Sequence, residues 1–220
     1  MKHIIQITLI SLLLFNCKEK TVSKPLKTAT ETNTNVLTTA EKIANAHGYI
    51  NWNNVNEIAF TFADRRHWLW NTKTNTVSLF TETDTITYNR KKIDSINAKT
   101  DAAFTNDKFW LLFPFQLVWD KNVTISEAKN EIAPISQIEL QKITLTYPNQ
   151  GGYTPGDAYD IYFNNQYIIK EWVFRKQNQQ EATLTNTFED YKDFNGIKIA
   201  QSHKMAEGDW NLKLSNIEIK

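Results

Sequence analysis

Beyond its first sixteen residues, this 220-residue chain has few side chains suited to chemistry: three histidines (His47, His67, His203) and one cysteine, Cys17. Two close acidic pairs add to these, Asp157 with Asp160 and Glu189 with Asp190. A zinc site needs three or four such ligands to converge, and the histidines lie far apart on three different predicted elements. Each has a simpler role. His47 ends a predicted helix, where an imidazolium suits the negative end of the dipole, while His67 and His203 fall in strands that read as half exposed. The chain has no Gly-x-Ser-x-Gly elbow, no phosphate-cradling glycine loop and no His-Glu-x-x-His. No set of acid, base and nucleophile can be assembled, so the expectation is a binding protein, not an enzyme, with no metal and no cofactor.

The most distinctive polar segment is Gly151-Gly152-Tyr153-Thr154-Pro155-Gly156-Asp157. Pro155 followed by Gly156 suits the two central positions of a type II turn, so the segment reads as a long hairpin connection. The competing reading gives Asp157 and Asp160 to a cation or a substrate, but two carboxylates without further ligands support it weakly. Glu189 and Asp190 read as a solvated strand end.

Cys17 carries different chemistry. Lys2, the apolar stretch Ile4 to Phe15 and then Leu14-Phe15-Asn16-Cys17 have the layout of a secretory signal closed by a lipobox. The stretch falls short of the ~20 apolar residues a membrane span needs. It resembles a bacterial lipoprotein precursor cut before Cys17, whose sulfur would carry a diacylglyceryl thioether; Phe15 and Asn16 depart from the small residues usual there. An ordinary signal peptide with an incidental cysteine is the other reading. The expected domains are a signal peptide at 1–16, a lipidated Cys17 with a flexible tether at 17–36, and a folded domain at 37–220. Lys18 to Val36 is Thr-rich and almost free of large apolar side chains, and as a coil it would span about 25 Å. Lys18-Glu19-Lys20 partly matches a surface-export signal, so outer-membrane attachment is expected, with either face open. Without Lys2 the chain has 24 basic and 24 acidic side chains, so nucleic acid is not an expected partner. An acylated Cys17 leaves no disulfide, and the fold must stand on its core alone.

Such a core is available, because seven Trp, eight Tyr and twelve Phe stand against only six Gly. A capped helix opens the domain: Thr38 with Glu41 makes a capping box, Ala40, Ile43, Ala44 and His47 share a face, and Gly48 stops it. Alternating strands follow at 56–62, with Trp68 and Trp70 on one face of the next, then at 77–81 and 85–88. A helix is expected over 91–107 with Ile93, Ile96 and Ala103 inward, and a loop over 120–134. In the strand around 138–147 apolar parity switches, which one extra residue near Gln141 and Lys142, a β-bulge, would reconcile. Strands at 159–163, 167–174, 183–188, 197–203 and 210–219 complete nine or ten antiparallel strands, an α+β plan.

The segment Phe109-Trp110-Leu111-Leu112-Phe113-Pro114-Phe115-Gln116-Leu117-Val118-Trp119 stands apart, nearly all large and apolar and interrupted by Pro114. It reads either as a core helix entering the next strand, or as a lid over the concave face of a curved sheet, enclosing a dry cavity for acyl chains. In the second case Phe109, Trp110, Phe113, Phe115 and Trp119 would line the cavity from the lid, and Trp68, Trp70, Trp172 and Phe174 from the sheet. The order of a lipobox, a tether, a capped helix ending at His47-Gly48, a meander, a central helical lid and more meander resembles the LolA-like carriers of lipoproteins and glycolipids, over residues 38–220. Phe109 through Phe115 and Gly151 through Tyr159 resemble segments of an uncharacterised bacterial lipoprotein family with that expected fold. The resemblance implies a single α+β domain, an unclosed half β-barrel of antiparallel strands with helices covering its concave face, which binds a lipid or acylated hydrophobic ligand without catalysis. A chain tethered at Cys17 departs from the shuttling carriers and suits a local binder or receptor. The alternative is a surface or periplasmic interaction module with a filled core and a protein or polysaccharide partner.

Overall fold

A computed structural model describes residues 36–220; Cys17, the leader at 1–16 and the tether as far as residue 35 lie outside them. The first helix, α1 (Thr39–Ala46), begins as its sequence dictates. Thr38 Oγ1 accepts from the Glu41 N–H at 3.2 Å while Glu41 Oε2 accepts from the Thr38 N–H at 2.8 Å. It ends at His47 with Gly48 at φ +94°, where a Cβ would lie 1.8 Å from the Gly196 carbonyl oxygen. Only glycine fits there, and the close approach seats α1 on the sheet.

Four strands form the first meander: β1 (Glu57–Phe62), β2 (Arg66–Asn71), β3 (Thr76–Phe80) and β4 (Thr85–Asn89). Two helices follow, α2 (Ala98–Leu111) and α3 (Phe113–Trp119), with Pro114 in the first turn of α3, where no N–H is needed. Nine more strands complete the domain: β5 (Thr124–Ile125), β6 (Lys129–Ile132), β7 (Glu139–Thr146), β8 (Ala158–Phe163), β9 (Ile169–Arg175), β10 (Leu184–Thr187), β11 (Glu189–Phe194), β12 (Ile197–Lys204) and β13 (Asn211–Ile219). All pairings are antiparallel, in a seven-stranded order β11-β12-β13-β1-β2-β3-β4 and a second order β10-β9-β8-β7-β5 with β6 also on β7. The two orders share one run of chain. β10 pairs with β9, and a single residue later, past Phe188, the chain re-pairs with β12 as β11. Thr187 holds this junction, its Oγ1 accepting from the Lys204 N–H at 3.0 Å and its carbonyl facing His203 Nδ1 at 3.1 Å. Neither end of the path meets the other, so the structure is a single α+β domain whose antiparallel sheets do not close.

The helices sit between the two halves. Phe104, Leu111, Leu112 and Phe115 join the cluster of Phe60, Trp68, Trp70 and Ile199, whereas Phe109, Phe113 and Leu117 join that of Ile143, Ile161, Trp172 and Phe188. Spacing explains the division: 109, 113 and 117 lie one turn apart on one side, with 111, 112 and 115 opposite. A helix apolar all round must be buried all round. The segment therefore covers the concave side and fills it too.

Buried charge fixes the helices in place. Asp107 is fully buried and accepts from Arg66 Nε and Nη2 at 2.6 and 2.7 Å and from Trp68 Nε1 at 2.8 Å. A turn and a half earlier, Asp101 takes a similar fork from Arg90, whose Nη2 also donates to Thr105 Oγ1.

Several expectations are corrected. The helix starts at Ala98, not residue 91, because Asp94 Oδ1 accepts from both the backbone and the side-chain N–H of Asn97 and holds a turn instead. Ile93 and Ile96 are consequently exposed. The 109–119 segment enters no strand, and 120–134 is not all loop, since β5 and β6 lie within it. No bulge interrupts β7 against β8. The parity switch instead marks burial on both faces: Leu140 packs outward with Ala133, Tyr162 and Val173. The cover there is pinned by buried Glu171, which accepts from the Ile135 and Ser136 N–H groups at 2.7 and 2.9 Å. Thirteen strands are described, where nine or ten were expected, and Glu189-Asp190 opens one of them.

Arg66→Ala would leave the Asp107 carboxylate buried without its cation. Because Arg66 is about one-third exposed, a loss near the low end for a broken buried pair is expected, about 3 kcal/mol. Urea unfolding of Arg66→Ala measures it; Arg65→Ala, whose side chain is exposed, should lie within about 0.5 kcal/mol of wild type.

Candidate functional site

Most of the aromatic residues expected to line a cavity are instead core. Trp68, Trp70, Phe113 and Phe115 are buried by other side chains. Trp119, half-buried, packs with Trp52 and Phe115 at ring separations of 4.8 and 5.4 Å, beneath Lys108 Nζ. Phe109 and Trp172, also buried, and Trp110 and Phe174, half-buried, border a gap as well. Together with Asn106, Tyr153, Thr154, Tyr159 and Leu184 they surround a pocket of about 240 Å3 between α2, the faces of β8 and β9, and the start of β10.

Its walls follow from strand register. Tyr159 and Phe174 are cross-strand partners with rings 5.1 Å apart, and Trp172 stands two residues along β9 on the same face. Phe109 and Trp110 come down from α2, and Trp110 meets the Trp172 ring at 4.6 Å, nearly edge-on. The outer wall is the loop before β8. Tyr153 lies flat on Phe109, with centroids 4.0 Å apart and planes within 4°.

The glycines and the turn aim that tyrosine. Gly152, at φ +78°, approaches the Tyr147 ring so closely that a Cβ would come within 2.7 Å of it. The Asp157 N–H donates to the Thr154 carbonyl at 3.0 Å, as the Pro155-Gly156 turn requires. Asp157 and Asp160 do not form a joint site: Asp157 accepts from the Gln177 N–H at 2.8 Å, while Asp160 pairs with Arg175 at 3.0 Å and accepts from Thr144 Oγ1. Among the described residues no cluster of His, Cys, Asp and Glu is arranged to hold a metal.

The pocket is neutral and mostly apolar. Burial pushes the Tyr153 and Tyr159 phenols above their ordinary value, so neither ionises at physiological pH. Behind α3 a separate polar latch closes the core: with the Gln116 amide oriented to suit both neighbours, its oxygen accepts from Lys108 Nζ at 3.0 Å and its nitrogen donates to Asp120, which also accepts from the Tyr147 hydroxyl. Burial lowers Lys108 to about 8 and raises Asp120.

Two histidines differ from their expected roles. His47 is fully buried, with Nδ1 2.8 Å from the Ile43 carbonyl and Nε2 3.2 Å from the Tyr191 hydroxyl; burial lowers its pKa to about 4, so it is neutral at the helix end. His203 is not half exposed but fully buried against Trp110 and Phe188, and burial lowers it to about 4 as well. Tyr153, Tyr159 and Leu184 were absent from the sequence-based set. A tyrosine inside a glycine-rich turn was the one signal for the first of these.

No protein-family model matches the chain, and no curated protein matches it. Among solved structures, a LolA superfamily protein from Nitrosomonas europaea is similar at 12% identity, over 84% of this chain and 94% of that one, with a TM-score of 0.44.

The two histidines set a pH dependence. Unfolded, each takes up a proton near its ordinary pKa of about 6.5, whereas folded each resists until about 4. The unfolded state therefore binds more protons in this window. Their contribution to stability is full above pH 7 and falls as pH drops from 6.5 towards 4, by about 1.4 kcal/mol per pH unit for each histidine. Urea midpoints at pH 7.5, 6.0 and 5.0 should show the fall, with a slope roughly halved in His203→Phe.

Proposed function

We propose that this domain binds the end of an apolar ligand, an acyl chain or a small ring system, in the Phe109–Tyr153–Trp172 pocket, and does no chemistry on it. One observation carries the reading: in a concave face otherwise packed by its own side chains, seven apolar or aromatic residues leave a pocket of about 240 Å3. An apolar cavity of about 150 Å3 already takes up benzene. The volume suits a single short chain segment or two fused rings, far less than a whole diacyl lipid. The filled core favours one other reading, an interaction module whose aromatics serve only packing.

The test fills the pocket. In the full chain carrying Cys17→Ser, an apolar fluorescent probe of two fused rings such as 1-aminonaphthalene should bind and quench tryptophan emission. Leu184→Trp, at the rim of the pocket, should weaken that binding at least about tenfold while the unfolding free energy moves by less than about 1.5 kcal/mol. Unchanged affinity in Leu184→Trp, or no uptake by the parent, favours the interaction module.

We infer further that the domain works at a membrane, held by a lipid on Cys17 after removal of residues 1–16, with 17–36 as its tether. The apolar stretch before Cys17 supports this. Among the described residues no helix is long and apolar enough to cross a membrane. Metabolic labelling with radioactive palmitate in a bacterial host should mark the wild-type chain and leave Cys17→Ser unlabelled; equal labelling of both would refute the anchor.

A further inference from the structure

Among the described residues four buried side-chain atoms find no partner within the protein, and two of them, Asn186 Nδ2 and His203 Nε2, belong to residues packed around one pair of rings. Asn186 is the cross-strand partner of Trp172 and accepts from its Nε1 at 3.3 Å; His203 meets the other ring, Trp110, at 5.3 Å. Both residues are fully buried.

Their neighbours fix what each free atom offers. The Trp172 indole can only donate, so the Asn186 oxygen must face it, and the amide N–H2 is the group left over. The Thr187 carbonyl can only accept, so His203 carries its proton on Nδ1, and Nε2 presents a lone pair. The result is one unpaired donor and one unpaired acceptor, both neutral, flanking the Trp110–Trp172 contact. Trp110 and Trp172 also form the inner wall of the pocket. Trp110 is only half-buried, whereas Trp172 is buried.

We propose that the pocket continues past Trp110 into a polar subsite made by Asn186 and His203, which recognises the hydroxyl group of an otherwise apolar ligand. The ligand O–H donates to His203 Nε2 and its oxygen accepts from Asn186 Nδ2. A group that only accepts would leave the imidazole unpaired, and an anion would meet its lone pair. This inference rests on the reading of the pocket as an apolar-ligand site.

Two probes of nearly the same shape test it, 2-naphthol and 2-methoxynaphthalene, the second lacking the O–H. Calorimetry on the full chain carrying Cys17→Ser should show 2-naphthol binding at least about tenfold more tightly, the scale of one buried group left unpaired. In His203→Phe, which keeps a ring against Trp110 and Phe188, the preference should shrink to within about twofold while 2-methoxynaphthalene binds as before. Equal affinity of the wild-type pocket for both probes overturns the subsite and leaves the apolar pocket standing, with a resident water satisfying the two atoms. A preference that survives in His203→Phe overturns it too, since shape alone would then explain it. Failure of both probes to bind overturns the pocket reading as well.

Discussion

A carboxylate shut away from water decides how the helices meet the sheet. Burying Asp107 costs several kcal/mol unless its oxygens are fully occupied, and the Arg66 fork with the Trp68 indole occupies them. Those donors lie on one face of β2, so α2 can adopt only the rotation that brings residue 107 to them. That rotation sends Phe104 and Leu111 into one cluster and Phe109 into the other. It also leaves Trp110 between the halves, packed against both. The pocket is thus a by-product of electrostatics: its inner wall stands where it does because of a salt bridge one turn earlier on the same helix.

The concave face is best described as filled, with a gap at one corner. Interiors close-pack when facing side chains can interdigitate, and the seven-stranded half achieves this with Trp52, Trp68, Trp70, Phe104 and Phe115. The other half meets a loop in place of a further helix. Tyr153 covers part of the opening by lying flat on Phe109, and the space beside the stack stays open.

What the sequence disclosed follows the range of the forces involved. The capping box of α1, the Gly48 stop and the Pro155-Gly156 turn are local and were legible. So were the strands whose apolar residues alternate, such as β1 and β8. β5, β6 and β11 were not, because they are short or polar strands held by backbone pairing, and Glu189-Asp190-Tyr191-Lys192-Asp193-Phe194 has no dry face to announce itself. The segment 109–119 was legible as buried but not as divided, since the division depends on what stands on either side. Burial of His203 was hidden for a related reason: Trp110 and Phe188, distant in sequence, exclude water from it. Tyr153 joined the pocket through one stacking contact across more than forty residues of chain, which no local pattern encodes.

The pairing of β13 with β1 sets Ile219 against Ile58, in the middle of the seven-stranded order. A sheet closed across such a sequence span has high contact order, and chains of that kind fold slowly because a large loop must close before the contact repays it. Here the loop is nearly the whole domain. Until β13 has been synthesised, β1 has no neighbour on one side and the first meander cannot join the strands that complete its half. The seven-stranded half is therefore complete only once β13, the latest of its strands in the chain, has been made.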